Sequence, residues 1–343
     1  MTCRRTRLFA AAMLVMVWRI ATPAQTAVTL KGAGATFPAP LYIKWIANYA
    51  RRDPSVAIAY DAVGSEAGMR RLIAGDVDFG ASEDPGILRT IAPDRAGEFV
   101  WLPSVVGAVV PIVNIPGVTA TVAFTPEALA GIYLGTITKW NDPRLQQNNR
   151  ARLPNLDIVV VHRAEGSGTS YTWTTYLSNV NADWRTRVGA GLSPNWPIGE
   201  AATGNAGVAA LVSRTAGAIG YVEFIYAVQA HVSYGQIRNR HGEFVTASVE
   251  SIAAAAESSP PDAPGSSIVD APGSGAYPVA CLTWLAVPVR ITNPAKHAAL
   301  TGFLHWMLTS GQRQAAALGY VALPAPVVTH AEAAVSQIKS SEP

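Results

Sequence analysis

The sequence predicts an α/β protein of two domains, and three observations carry that reading. Short apolar runs of strand length alternate with segments whose apolar residues recur at helical spacing, the pattern of strands joined by helices. Of the 343 residues, about 320 remain once an N-terminal leader is set aside, enough for a sizeable core and usually divided between two domains. Charged residues make up 14% and hydrophobic residues 49%, a balance that fits a compact globular chain and excludes general disorder.

The leader comes first. Arg4, Arg5 and Arg7 precede an apolar run over residues 8–18, and small residues follow over 21–24. That order reads as a secretory signal peptide. The run is too short for a bilayer, which takes roughly 20 residues. Cleavage is expected after Ala24, so residues 1–24 are the signal peptide and the mature chain is exported; a retained N-terminal anchor is the alternative. No cysteine near the cleavage region supports a lipid anchor. The leader holds four of the 26 basic residues and no acidic one, which leaves 22 basic against 23 acidic residues. A balance so close to neutral offers no electrostatic case for nucleic acid. Of the two cysteines, Cys281 alone lies beyond the leader, so no intramolecular disulfide can form.

Residues 28–30 then read as a strand, and Gly32-Ala-Gly-Ala-Thr-Phe37 as a tight turn. Pro38 and Pro40 suit the first turn of a helix, and Leu41, Trp45, Ile46 and Tyr49 follow at helical spacing. Residues 56–62 alternate like a strand. Gly64-Ser-Glu-Ala-Gly68 opens a helix carrying Met69, Leu72 and Ile73. Residues 77–81 are the next strand, ending on Ser82, Glu83 and Asp84. Residues 105–114 form a continuous apolar strand of the kind buried on both faces. A short helix over 126–133 and a buried strand over 158–162 lead to Arg163-Ala-Glu-Gly-Ser-Gly-Thr169, then to a helix marked by Tyr171, Thr174, Thr175 and Leu177. A helix over 208–212, a strand over 218–223, a late apolar strand over 279–287 and a helix over 298–310, which 313–318 continues or restarts, complete the pattern. Residues 253–277, rich in Ala, Ser, Pro and Gly, read mostly as a loop. No internal repeat is visible.

Three loops share one design: a strand end, then glycine with Ser or Thr, then a helix start. They begin at Gly34, Gly64 and Gly166. A helix start leaves backbone N–H groups unpaired and carries partial positive charge. Each loop alone reads as an ordinary capped helix, since Ser and Thr are common N-caps. Three together, with Arg163 close by, point to an anion site. Arg163 could instead be a surface residue paired with Glu165. Glu83 and Asp84 alone would be a solvated turn or an N-cap. Beside an anion site, however, a carboxylate repels a fully ionised ligand and accepts a hydrogen bond from one that keeps a proton. Phosphate keeps a proton near neutral pH and sulfate does not. No HExxH, GxSxG, Walker or paired-cysteine motif is present. The six histidines are scattered; His297 and His305 share a possible helix face and read as surface residues.

At these loops the sequence resembles the periplasmic phosphate-binding protein of the phosphate-specific ABC transporter, the PstS family. GAGATFPAPLYIKW, VDFGAS, VNIPG, IYLGTITKWND, GSGTS, WPIG and GAIGYVE carry the match, from about residue 31 to 223, with weaker similarity to about 328. The resemblance implies a type II-like periplasmic binding protein, two α/β lobes joined by crossover hinge strands with phosphate in the cleft. Lobe I is then expected over 25–110 and 282–330, lobe II over 111–281 and a C-terminal tail over 331–343. Carried over residue by residue, Thr36 and Ser65 supply a hydroxyl and a backbone N–H, and Phe37 a backbone N–H. Arg163 is the cationic contact, with Glu165 as its partner behind. Ser167, Gly168 and Thr169 crown the phosphate from the second lobe, and Glu83 is the proton-sensing carboxylate. The family commonly has Asp at positions 83 and 165 and Ser at 66, so two carboxylates are one methylene longer here and Glu66 adds a charge. The resemblance further implies a periplasmic monomer without cofactor, metal or catalytic residues, which hands phosphate to membrane permease subunits. A binder of another oxyanion, a phosphatase and a surface scavenging protein on the same fold are the alternatives.

Overall fold

The computed structural model describes residues 27–259 and 266–340. The signal peptide read over 1–24 lies outside them, as does part of the loop read over 253–277. The first half runs β1 (Val28–Gly34), α1 (Ala39–Arg52), β2 (Val56–Asp61), α2 (Ser65–Ala74), β3 (Phe79–Ser82), α3 (Ile87–Ile91) and the 16-residue β4 (Phe99–Asn114). The expected elements are present here with shifted ends. β1 continues through the predicted turn to Gly34 because its residues pair in register with both β2 and β3. Pro38 and Pro40 open α1, whose Leu41, Tyr42, Trp45 and Tyr49 are buried and whose last turn carries Arg51 and Arg52, favourable at the negative end of the helix dipole.

The middle of the chain runs β5 (Ala123–Phe124), α4 (Pro126–Tyr133), α5 (Pro143–Gln146), β6 (Val159–Arg163), α6 (Gly168–Val180), α7 (Ala182–Arg187), β7 (Glu200–Ala202), α8 (Gly204–Arg214), β8 (Ala218–Glu223) and α9 (Phe224–Gln229). Then follow β9 (Ser233–Tyr234), β10 (Gln236–Arg238), β11 (Phe244–Val245), α10 (Val249–Ser258), β12 (Ala280–Pro288), β13 (Arg290–Ile291), α11 (Pro294–Trp306), α12 (Ala325–Val335) and β14 (Lys339–Ser340).

The main sheet has the order β2-β1-β3-β12-β4-β8-β6-β7, with β9 added on β4. β4 joins its two parts. Phe99 to Ala108 lie opposite β12, and Val109 to Asn114 lie opposite β8. β4 begins six residues before the predicted strand because Val100 and Leu102 are also buried. Pro103 interrupts that run, but it sits at a register shift in which Ser104 is the extra residue, where a missing N–H disturbs no regular ladder. On one side of β4 and β12, the parallel strands β1, β2 and β3 end at Gly34, Asp61 and Ser82. On the other, β6, β7 and β8 end at Arg163, Ala202 and Glu223. Open α/β sheets bind ligands beyond such carboxyl ends.

Two expectations need correction. Residues 253–258 are helical, not loop: α10 is capped reciprocally by Ser248 and Ser251, and Ile252, Ala255 and Ala256 are buried. The described remainder, 266–277, is irregular but holds buried Ile268, Ala271, Ala276 and Tyr277. Of the tail expected over 331–343, the described residues 331–340 are not simply a tail. α12 continues to Val335 with Val327, Ala331 and Val335 buried, and β14 pairs in parallel with β13. Cys281 is a free, buried thiol. No helix among the described residues is long and apolar enough to cross a membrane.

Candidate functional site

The three glycine-led loops meet. After β1 the chain turns through Ala35, whose N–H donates to the Ala81 carbonyl of β3 (2.9 Å), and presents Thr36 and Phe37 before α1. After β2, Gly64 adopts φ 95°, a conformation that suits glycine, and makes Ser65 the first residue of α2. Glu83 follows β3 directly. From the other side, Arg163 ends β6 and Ser167 caps α6, its Oγ accepting from the Ser170 N–H (3.2 Å). Gly168 and Thr169 are the first two residues of that helix, where N–H groups have no acceptor within the helix.

Contacts across the gap hold the two sides together. The Gly168 N–H donates to Ser65 Oγ (3.0 Å), and the Glu66 N–H to the Gly166 carbonyl (3.2 Å). Asn205 Nδ2 donates to Thr36 Oγ1 (2.8 Å) and to Thr169 Oγ1 (3.3 Å). The Tyr226 hydroxyl donates to the Thr36 carbonyl (2.7 Å); within one side, the Tyr320 hydroxyl donates to the Phe37 carbonyl (2.6 Å). Gly168 tolerates no side chain, because a Cβ there would run into Glu83 Oε2 and Ser65 Oγ. Thr36, Phe37, Ser65, Glu83, Arg163, Ser167 and Thr169 are all buried. One detail departs from the reading of the loops: the Ser167 N–H donates to the Leu192 carbonyl (3.0 Å), so the hydroxyl is what this residue can offer a ligand.

Charge in the site is arranged front and back. The Arg163 side chain is 1% exposed. Its Nε donates to Glu165 Oε1 (2.9 Å) and its Nη2 pairs with the same oxygen, while Nη1 reaches Thr169 Oγ1 (3.3 Å). Glu165 Oε1 also accepts the Gly204 N–H (3.0 Å). Glu165 therefore holds one edge of the guanidinium, and Arg163 is not the exposed surface residue that its pattern allowed. Glu83 is 4% exposed. Its Oε1 accepts from Thr283 Oγ1 (2.8 Å), and its Oε2 has no hydrogen-bond partner among the described residues. Burial pushes the Glu83 carboxyl up to about 7, with Thr283, the charge of Arg163 and the hydroxyl of Ser65 offsetting part of the rise. The turn is made by its neighbour Asp84, whose Oδ1 accepts the Gly86 N–H (2.8 Å). Glu66 pairs with Arg70 one helical turn on (2.7 Å), which offsets the charge it adds near the cleft.

Sequence reasoning missed several residues at this site. Asn205 had a readable signal, since Gly204-Asn205 opens α8 after β7 in the same strand, glycine and polar helix-start order. Thr283, which holds Glu83 from β12, is 200 positions away and has no local signature. Glu223 is fully buried at the end of β8, with Oε2 accepting from the Ile225 N–H (3.0 Å) and lying 3.3 Å from the Tyr320 hydroxyl oxygen, whose proton goes to the Phe37 carbonyl; burial raises its carboxyl well above the ordinary range.

Comparison with known proteins places these features in context. Residues 20–310 match the model of the PBP superfamily domain. The chain is 38% identical to the phosphate-binding protein PstS of Pasteurella multocida, over 96% of both chains. It is 38% identical to the phosphate-binding protein PstS of Xylella fastidiosa strain Temecula1, covering 89% of this chain and 84% of that one. Among solved structures, a high-affinity periplasmic phosphate-binding protein with phosphate bound superposes with a TM-score of 0.69 at 21% identity, over 89% of this chain and 93% of that one. The fold is the two-lobed one of periplasmic binding proteins.

Proposed function

The chain belongs to the PBP superfamily and, within it, to the PstS phosphate-binding proteins, and from that premise we propose that it captures inorganic phosphate between its lobes and delivers it to the permease subunits of an ABC transporter. In this reading Thr36, Phe37 and Ser65 donate from one lobe and Ser167 and Thr169 from the other, while Gly168, whose N–H is shared with Ser65 Oγ, lets the ligand come close to the start of α6. Arg163, held by Glu165, supplies the positive charge. Glu83 accepts the proton that phosphate retains. The lobes are residues 25–110 with 282–330, and 111–281; α12 extends the first of them, and β4 and β12 are the hinge strands. Export through a cleaved signal peptide places the protein in the periplasm as a monomer, and it binds and releases its ligand without turnover.

The observation that supports this most is the opposition of one buried guanidinium and a ring of N–H and O–H donors to one buried carboxylate with an uncommitted oxygen. Hydrogen bonds to a charged group contribute about 1.5–3 kcal/mol each, and desolvating a dianion offsets much of the total. Many fixed dipoles with one cation can therefore hold the ion tightly and still let it go. A carboxylate facing sulfate, which brings no proton, leaves two acceptors against each other and rejects it. Titration calorimetry of the mature protein at about pH 8.5, where Glu83 is ionised, tests this: phosphate and arsenate, which both keep a proton, are expected to compete for one site that sulfate does not enter. Equal displacement by sulfate would remove the role given to Glu83.

A further inference from the structure

The hydrogen bonds around the cleft run in one direction. A hydroxyl has one proton to give and two lone pairs to accept with. Each of the four cleft hydroxyls already accepts an N–H from the protein. Ser65 Oγ accepts from the Gly168 N–H and Ser167 Oγ from the Ser170 N–H. Thr36 Oγ1 accepts from Asn205 Nδ2 (2.8 Å), and Thr169 Oγ1 from Asn205 Nδ2 and Arg163 Nη1 (both 3.3 Å). The backbone secures the two serines, whereas Thr36 is engaged by Asn205 and Thr169 by Asn205 together with Arg163. The sense of the Asn205 amide is itself set, because its Oδ1 accepts the Glu223 N–H (2.9 Å) and so must be the oxygen. Asn205 is fully buried, with no solvent to offer an alternative partner.

We infer that Asn205 is a positioning residue which, anchored by the Glu223 backbone, forces the hydroxyls of Thr36 and Thr169 to act as donors toward the oxyanion. A hydroxyl free to rotate can present a proton or a lone pair. One whose lone pair is engaged from behind by an N–H can point its proton forward at no cost in lost partners. Thr36 and Thr169 come from opposite lobes, so a single amide acts on both sides when they close, alone at Thr36 and beside Arg163 at Thr169. The donor shell is then complete without a ligand proton, and a protonated ligand oxygen is directed to Glu83. This inference rests on the cleft being the phosphate site.

A double-mutant cycle separates this role from simple packing. Asn205→Ala is expected to weaken phosphate binding about tenfold in calorimetry. In the Thr36→Val/Thr169→Val background, where no hydroxyls remain to orient, the same substitution is expected to cost less than about twofold. Should the alanine variant not fold, Asn205→Asp keeps the shape and reverses the polarity. Its added charge acts in both backgrounds, so an excess loss where the hydroxyls are present reports their orientation. Equal losses in the two backgrounds, or no loss in the wild-type background, would overturn the inference. If wild-type protein binds phosphate and Arg163→Ala does not, a flat cycle defeats only the role of Asn205; if wild-type protein binds no phosphate, the site reading itself fails.

Discussion

Arg163 and Glu83 carry most of the proposed site at the level of single residues. With Nε and Nη2 committed to Glu165, Arg163 presents its charge through Nη1, and Arg163→Ala is expected to weaken phosphate binding by at least about 1.5 kcal/mol, roughly tenfold. Titration calorimetry checks this, and undiminished affinity would displace Arg163 from the site. Glu83 gives a pH signature. Folding raises its carboxyl from the ordinary 4.5 to about 7, so between those values the folded state keeps a proton that the unfolded state has released. Its stabilising contribution is present below about 4.5 and is lost as pH rises through about 7. The melting temperature of ligand-free protein should therefore decline over that window, with a shallower decline in Glu83→Gln. A slope identical in wild type and variant would show that Glu83 does not titrate there. Sulfate binding should strengthen on acidification through the same range, because a protonated Glu83 becomes a donor, and Glu83→Gln should bind sulfate with little pH dependence. The Glu where the family resemblance implies Asp is accommodated: its Oε1 is tied back to Thr283 and its Oε2 lies against the bare Cα of Gly168. Arg163 and Glu83 were legible because their neighbours in sequence signal them. Thr283 was not, since its relation to Glu83 exists only through the pairing of β12 with β3.

At the scale of elements, two helix starts facing one another are the device. α2 and α6 begin at Ser65 and Gly168, and the Gly168 N–H reaches Ser65 Oγ directly. Gly168→Ala keeps helical geometry but drives a methyl into Glu83 Oε2 and Ser65 Oγ. Phosphate binding is expected to weaken at least tenfold while the ligand-free melting temperature changes little, a contrast that thermal shift with and without phosphate reads directly. A wild-type phosphate-induced shift in the variant would mean the two helix starts need not approach so closely. These helix starts were readable because glycine, Ser, Thr and proline act on the backbone within a residue or two. The two misread helices show the limit of composition. In α10, Ile252, Ala255 and Ala256 follow a Ser248–Ser251 cap, and in α12 Val327, Ala331 and Val335 recur every four residues. Helical spacing was present in both, obscured by small residues whose burial depends on what packs over them.

For the whole molecule, β4 and β12 connect everything. β4 pairs with β12 along its first part and with β8 along its last, so a rotation of the lobes has to bend these strands. Direct hydrogen bonds already join the cleft walls, and a ligand engaged from both sides favours closure further by the contacts it adds there. Phosphate is expected to reduce the radius of gyration in small-angle scattering and, at a hundredfold excess over Kd, to stabilise the fold by about 2.7 kcal/mol. Saturation with phosphate at an unchanged radius would rule out hinge closure. The sequence alone determined the alternation of strands and helices, the helix-opening loops and the residue types able to bind an oxyanion, because these follow from forces between near neighbours. Tertiary structure alone decided that loops from 36 to 205 converge on one point, that Thr283 and Asn205 hydrogen-bond the groups which face it, and that burial shifts the carboxyl at position 83 upward. Those properties arise from strand pairing across the chain and from the removal of water, neither of which any short stretch of residues encodes.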